Sequence, residues 1–346
     1  MIDFYSWIKT FSYDARLNLI ITSRGRGKTY GLRKQFVKDW IAGKWRFVEI
    51  VRYNNQVADV CDGYFDKLVV NNEFPDYVFR TEGGKMYIAH APADDEKPTW
   101  ELIGYCVSLN DQQNKKKKTF AHVKRVLFDE FILEKRSFPG YLAGEYDKFL
   151  KLLDSIAREV PGEPSAVRVY LCANACDLVN PYFSEFRIYD EPKPGYTWLD
   201  KGFVLLHYEI NEVYSAAKRD TLVGRLARGH IEDMITNRFD NANNDFIERK
   251  SKDAKFLFGF VFQSRKYGVW LSDVKGYYYV TGKIPANAQE IYSLTRDDMS
   301  PNLIMARKAE YKLKVLIEML YLNCVRYDTA ATREGFLRMS SLFGVR

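Results

Sequence analysis

Leu17-Asn18-Leu19-Ile20-Ile21-Thr22-Ser23-Arg24-Gly25-Arg26-Gly27-Lys28-Thr29 is an apolar run that opens into a glycine loop and closes on a Lys-Thr pair. Residues 17–22 read as a buried strand and residues 29–42 as a helix ended by Gly43. A loop between such elements holds a polyphosphate, because its N–H groups point inward and the helix N-terminus favours negative charge. Gly25 and Gly27 let the backbone come close, Lys28 reaches the β- and γ-phosphates, and the Thr29 hydroxyl is offered to Mg²⁺. One departure stands out: the eight-residue phosphate-loop pattern would have glycine at position 22, where this chain has Thr22. Gly25, Gly27 and Gly31 nearly spell a dinucleotide fingerprint with Glu49 downstream, but the spacing fails by one residue.

A second stretch supports the nucleotide reading. Arg125-Val126-Leu127-Phe128-Asp129-Glu130 is a buried-strand run ending in two acids. In that position Asp129 holds hydrated Mg²⁺, while Glu130 orients and deprotonates the attacking water. ATP and Mg²⁺ are therefore the expected cofactors.

Apolar strand-like runs alternate with amphipathic stretches over the first two thirds, the habit of a mostly parallel α/β sheet flanked by helices. Strands are expected at 46–51, 124–128, 167–173 and 203–208, with a hairpin at 77–80 and 85–89. A helical connector is read from 212 to 238 and a polar linker at 240–245. Beyond it, strands at 256–262, 268–271 and 277–280 and helices at 302–324 and 329–343 describe a smaller α+β domain. The expected division is 1–208 for the ATPase domain, 209–244 for a helical linker and 245–346 for the last domain.

Composition sets bounds on this reading. Hydrophobic residues at 47% are ample for packed cores, and 52 Lys+Arg against 45 Asp+Glu leave +7, an excess that permits nucleic-acid binding without requiring it. The five scattered cysteines fit reduced thiols, and Cys172 with Cys176 is expected to be buried and inert rather than a zinc site. The first residues lack the features of a secretory signal, and no apolar window of about 18 residues is present, so a soluble protein without a membrane span is expected.

These residues together resemble the genome-packaging ATPases of tailed bacteriophages. The loop from Thr22 to Thr29 is similar to the variant phosphate loop of large terminase subunits, in which Ser-Arg precedes and the first glycine is often lost. The resemblance is to the small motors of phi29-like phages in particular. It rests on Ser12-Tyr13-Asp14, Val51-Arg52-Tyr53, Phe128-Asp129-Glu130-Phe131-Ile132, Asn180-Pro181-Tyr182-Phe183 and Phe246-Ile247-Glu248-Arg249-Lys250-Ser251-Lys252-Asp253.

The resemblance implies a P-loop fold of the additional-strand, catalytic-glutamate class, followed by a small domain like the RNase H-type nuclease of terminases. It implies that Ser23, Arg24 and Arg26 join Gly25, Gly27, Lys28 and Thr29 around the phosphates, with Arg24 on the γ-phosphate or switching to a neighbour. Asn174 senses the γ-phosphate or merely caps a turn, and Tyr13 forms part of the adenine pocket or packs in the core. Leu153-Asp154-Ser155-Ile156-Ala157-Arg158 matches the segment whose arginine reaches the neighbouring subunit's ATP, so Arg158 is either a finger or an ordinary surface arginine. Lys115, Lys116, Lys117 and Lys118 grip DNA, act in trans on ATP, or form a solvated loop. Arg52 serves the DNA channel or the subunit interface. The strand at 256–262 has no acid, so a nuclease step is not expected there.

The implied whole is a ring, five-membered by resemblance, that drives double-stranded DNA through the portal of an empty procapsid by ATP hydrolysis. It works in the host cytoplasm, docked at the portal vertex, and a structural packaging RNA is a further partner the resemblance allows. The rivals are another P-loop DNA translocase or helicase, and a non-motor nucleic-acid-binding protein with a nucleotide switch.

Overall fold

All five residues of β1 (Leu17–Ile21) are buried, because parallel neighbours flank it on both sides and helices cover its faces. The computed structural model describes residues 4–93, 96–111, 120–134, 137, 139–158, 166–188, 190–227, 235–239, 246–306 and 311–342. These divide into two compact units: 1–176 with 193–238, and 177–192 with 239–346.

The first unit is built on nine strands. They are β1, β2 (Arg46–Val51), β3 (Tyr77–Glu82), β4 (Lys85–His90), β5 (Glu101–Ser108), β6 (Val123–Asp129), β7 (Arg168–Ala173), β8 (Gly195–Leu199) and β9 (Val204–Tyr208). Their order is β3-β4-β5-β2-β6-β7-β1-β9-β8. The six from β5 to β9 run parallel, while the β3–β4 hairpin and β8 are antiparallel edges. One strand, β7, lies between β1 and the acid-bearing β6, which is the extra strand expected of this class. The parallel register brings the C-terminal ends of β1, β6 and β7 to one edge, where ligands of open α/β sheets bind.

Helix α1 (Ile8–Ser12) precedes β1, and α2 (Lys28–Gly43) follows it, burying Leu32, Phe36, Val37 and Trp40 against the sheet. Between β2 and β3 lie α3 (Gln56–Asp62) and α4 (Asp66–Val70). The 13-residue α5 (Glu145–Ala157) connects β6 to β7 and buries Phe149, Leu152 and Ile156. An ion pair locks α2 to β2: Arg33 bonds both oxygens of the buried Glu49, at 2.5 and 3.0 Å, with its guanidinium 4.5 Å from the centre of the Tyr64 ring.

The second unit has a six-stranded mixed sheet: β10 (Lys255–Phe262), β11 (Arg265–Ser272), β12 (Tyr277–Thr281), β13 (Ile291–Ser293), β14 (Ile304–Met305) and β15 (Val325–Tyr327). The order is β14-β13-β10-β11-β12-β15, with β10, β11 and β12 antiparallel and the others added in parallel. Its core packs Phe258, Phe260, Tyr267, Leu316 and Phe336. This is the smaller α+β unit expected from the sequence, and β10 carries no acid.

Three expectations change. The segment 177–192 packs in the second unit, where Arg338 bonds Asp177 (2.5 Å) and the Val179 carbonyl (3.1 Å). It contains α6 (Pro181–Glu185), whose cap explains the Asn-Pro-Tyr-Phe motif: Asn180 accepts from the Phe183 N–H, Pro181 opens the helix, and Tyr182 and Phe183 are buried. The connector read from 212 packs with the first unit and is broken. It forms α7 (Glu212–Arg219) and α8 (Leu222–Ala227), because the Thr221 hydroxyl donates to the Lys218 carbonyl and accepts from the Gly224 N–H. Instead of one helix over 302–324, β14 pairs with β13 before α9 (Tyr311–Tyr321); α10 (Ala330–Ser341), capped by Thr329, follows as expected. The linker at 240–245 lies outside the described residues.

Candidate functional site

The loop leaving β1 turns through left-handed backbone at Gly25 (φ 88°) and Gly27 (φ 74°) before α2 begins at Lys28. A side chain at either position is strained by that backbone and must push a neighbour aside. A Cβ at Gly25 would meet the Tyr214 hydroxyl at 2.5 Å, and one at Gly27 the Phe4 ring at 2.9 Å. The Thr22 N–H donates to the Ala173 carbonyl at 3.2 Å, tying the loop's start to the end of β7.

Several of the side chains singled out in the sequence meet beside this loop. The Lys28 ammonium donates to Asn174 Oδ1 at 2.7 Å, and the Thr29 hydroxyl to Asp129 Oδ2 at 2.5 Å. The Glu130 N–H is held by Asp129 Oδ1 at 3.0 Å, and Glu130 takes φ 56°, a conformation rare outside glycine. Such strain persists where surroundings over-determine it and concentrates at functional positions. Arg24, Gly25, Gly27, Lys28, Thr29, Asp129, Glu130 and Asn174 all line one cavity of about 730 Å³.

The residues fit a nucleotide with a divalent metal. Gly25 and Gly27 give the loop the left-handed turns that let its backbone approach a phosphate, and Ser23 Oγ is buried with no hydrogen-bond partner. The Thr29 hydroxyl and Asp129 carboxylate are hard oxygen donors of the kind Mg²⁺ takes, with phosphates and water completing its sphere. Among the described residues no cluster of three or more His, Cys, Asp or Glu could hold a metal unaided.

Several side chains stand elsewhere than the sequence predicted. Arg26 is buried and turned onto Glu209 (3.0 Å), beside the Tyr214 ring, so any share it has in phosphate binding falls to its backbone. Tyr13 does not line the cavity. It precedes β1, whose five residues span about 16 Å, so it lies at the opposite end of the sheet and packs on Tyr196 and Trp198. The aromatics that do line the cavity are Phe4 and Tyr30. Phe4 was signalled by the aromatic run Phe4-Tyr5-Ser6-Trp7, which straps the loop: Tyr5 N–H donates to the Arg26 carbonyl and Trp7 Nε1 to the Lys28 carbonyl. Arg24 makes an exposed ion pair with Glu134 at 2.9 Å. Cys172 is buried and its thiol pushed well up by desolvation, whereas Cys176 is only partly buried. The four lysines at 115–118 lie outside the described residues.

Arg52 departs furthest from expectation. Only 4% exposed, it cannot present its charge to DNA or to another subunit. Its guanidinium forks onto the buried Glu145 (2.8 and 3.0 Å) and also donates to the carbonyls of Glu130 (3.2 Å) and Phe131 (3.1 Å). It thus ties the end of β2 to the turn carrying Glu130 and to the start of α5. Arg52→Met should destabilise the protein by about 3–5 kcal/mol, because Glu145 is left charged and buried without its partner. Urea unfolding of the variant against wild type measures this, and a loss below about 1 kcal/mol would contradict it.

Arg158 closes α5 as an exposed residue at φ 43° and does not line the cavity of its own chain.

Residues 2–339 match the family described as podovirus DNA encapsidation protein (Gp16). The chain is 30% identical over 334 residues to the DNA packaging proteins of Bacillus phages PZA and phi29, covering 95% of each chain. Its fold is similar to a chain of the bacteriophage phi29 genome packaging motor assembly (TM-score 0.70, 26% identity, 99% of this chain and 98% of that one). It is also similar to the crystal structure of the N-terminal domain of the DNA packaging ATPase from phi29 (TM-score 0.50, 30% identity, 60% of this chain and 96% of that one). With its glycine loop, its paired acids and a match over nearly its whole length, the chain belongs to the podovirus DNA encapsidation protein (Gp16) family.

Proposed function

We propose that this chain is the ATPase subunit of a ring-shaped motor that drives double-stranded DNA through the portal into an empty procapsid. The observation that carries the ATPase reading is the convergence of Lys28, Thr29, Asp129, Glu130 and Asn174 on one cavity at the C-terminal edge of the parallel sheet. When bound, ATP supplies the transferable phosphoryl group and Mg²⁺ neutralises its charge. Lys28 and the loop N–H groups hold the phosphates, and Thr29 and Asp129 hold the metal. Glu130 aligns a water and takes its proton, in a geometry set by Arg52 through the backbone carbonyl. Asn174, bonded to Lys28, reports in this reading whether the terminal phosphate is present.

The ring, five-membered in this reading, follows from Arg158, which has to act on a neighbour's site if it acts on ATP at all. Lys115 to Lys118 remain the proposed DNA grip. The second unit, with no acid on β10, takes a binding role toward nucleic acid, a packaging RNA or the portal.

Incubating the protein with empty procapsids, phage DNA and ATP should protect the DNA from nuclease. Protection should vanish without ATP or with Lys28→Ala. DNA left fully sensitive under all conditions would overturn the packaging reading, and capsid-independent strand separation would move the protein among helicases.

A further inference from the structure

The cavity extends beyond the phosphate loop along α2 to a polar group made by Tyr30, Lys34, Asn71 and Glu73, with Lys67 beside it. Tyr30 donates its hydroxyl to Glu73 Oε1 and accepts from Asn71 Nδ2 at 3.0 Å, while the Lys34 ammonium pairs with Glu73 Oε2. Each Glu73 oxygen is thus held by one donor, and each still has a lone pair to offer. Lys34 stands six residues, about 9 Å, along α2 from Lys28. A nucleotide bridges such a separation between its terminal phosphates and its base. Phe4, 76% exposed and lying over Gly27, adds a bare aromatic face to the same cavity.

We propose that Glu73 and Asn71, oriented by Tyr30 and Lys34, read the edge of the base and select adenine over guanine; this rests on the ATP reading above. Adenine presents an amino donor at C6 where guanine presents a carbonyl acceptor. A carboxylate fixed at that edge accepts from the adenine amino group and repels the guanine oxygen. The bond from Lys34, and then that from Tyr30, hold the Glu73 pKa below the usual carboxylate value, so it remains ionised and an acceptor at neutral pH. Glutamine in its place offers an N–H to the guanine oxygen and removes the repulsion. The bland role for this group, bracing α2 against the chain after α4, makes no distinction between bases.

The test is a calorimetric titration of wild type, Glu73→Gln and Tyr30→Phe with Mg·ADP and with Mg·GDP. Wild type should prefer ADP by at least about tenfold, and Glu73→Gln should shrink that preference about tenfold or more. Tyr30→Phe, which keeps the ring and releases the carboxylate, should shrink it less, with both variants melting within a few degrees of wild type. Equal binding of ADP and GDP by wild type, or a parallel loss of both in the variants with the ratio kept, would overturn the proposal while leaving the ATP site standing. Failure of wild type to bind either nucleotide would instead overturn the ATP reading, and this inference with it.

Discussion

Glu130→Gln should bind ATP as wild type does and hydrolyse it about 10²–10⁴-fold more slowly. The substitution preserves volume and backbone conformation, so the turn held by Arg52 at the Glu130 and Phe131 carbonyls has no reason to move. Lys28, Thr29 and Asp129 are untouched, which leaves the contacts proposed for phosphate and metal intact. What is lost is a side chain able to take a proton from water. Nucleotide titration and phosphate release on the same preparation separate the two effects. Hydrolysis equal to wild type would remove Glu130 from the chemistry. Weakened binding with unchanged turnover would turn it into a ligand of the nucleotide rather than a base. Asp129→Asn should behave differently, losing Mg²⁺-dependent binding along with turnover, because the Thr29–Asp129 pair is where the metal is proposed to sit.

The phosphate loop and the acidic strand were legible because their chemistry demands particular residue types in consecutive positions. Gly25, Gly27, Lys28 and Thr29 carry their requirement locally, and so do Asp129 and Glu130 at the end of an apolar run. Features that depend on distant partners were not legible. Arg52 reads as a surface cation until Glu145, 93 positions later, is seen to bury it. Tyr13 stands close to the loop in sequence, yet a whole strand separates them in space. Strand β5 escaped notice because Gly104 weakens its pattern. That glycine is required by Phe47 on the adjacent strand, whose ring lies 2.5 Å from where a Cβ would be. Segment 177–192 follows β7 directly and nonetheless belongs to the second unit, through Arg338 at the other end of the chain.

Arg158→Ala should lower ring ATPase by about 10³–10⁵-fold if its guanidinium completes a neighbour's site. The geometry excludes service in its own chain. Glu145, at the start of α5, is held by the same guanidinium that bonds the Glu130 carbonyl, so this end of the helix stands beside its own catalytic turn. Arg158 is 13 residues on, about 20 Å along the axis, where the helix ends in a left-handed cap. The helix is thus tied at one end, through Arg52, to the backbone of the turn carrying Glu130, the proposed base, and ends at Arg158 on the other. Mixing distinguishes action on a neighbour's site from an indirect defect. Arg158→Ala subunits keep a complete loop, and Lys28→Ala subunits keep the arginine, so each is inactive alone for a different reason. In mixed rings a complete loop meets an intact arginine across some interfaces, and phosphate release should recover in proportion to the number of such junctions. Mixtures no more active than their parents would show that Arg158 acts within its own subunit's structure and not on its neighbour's nucleotide.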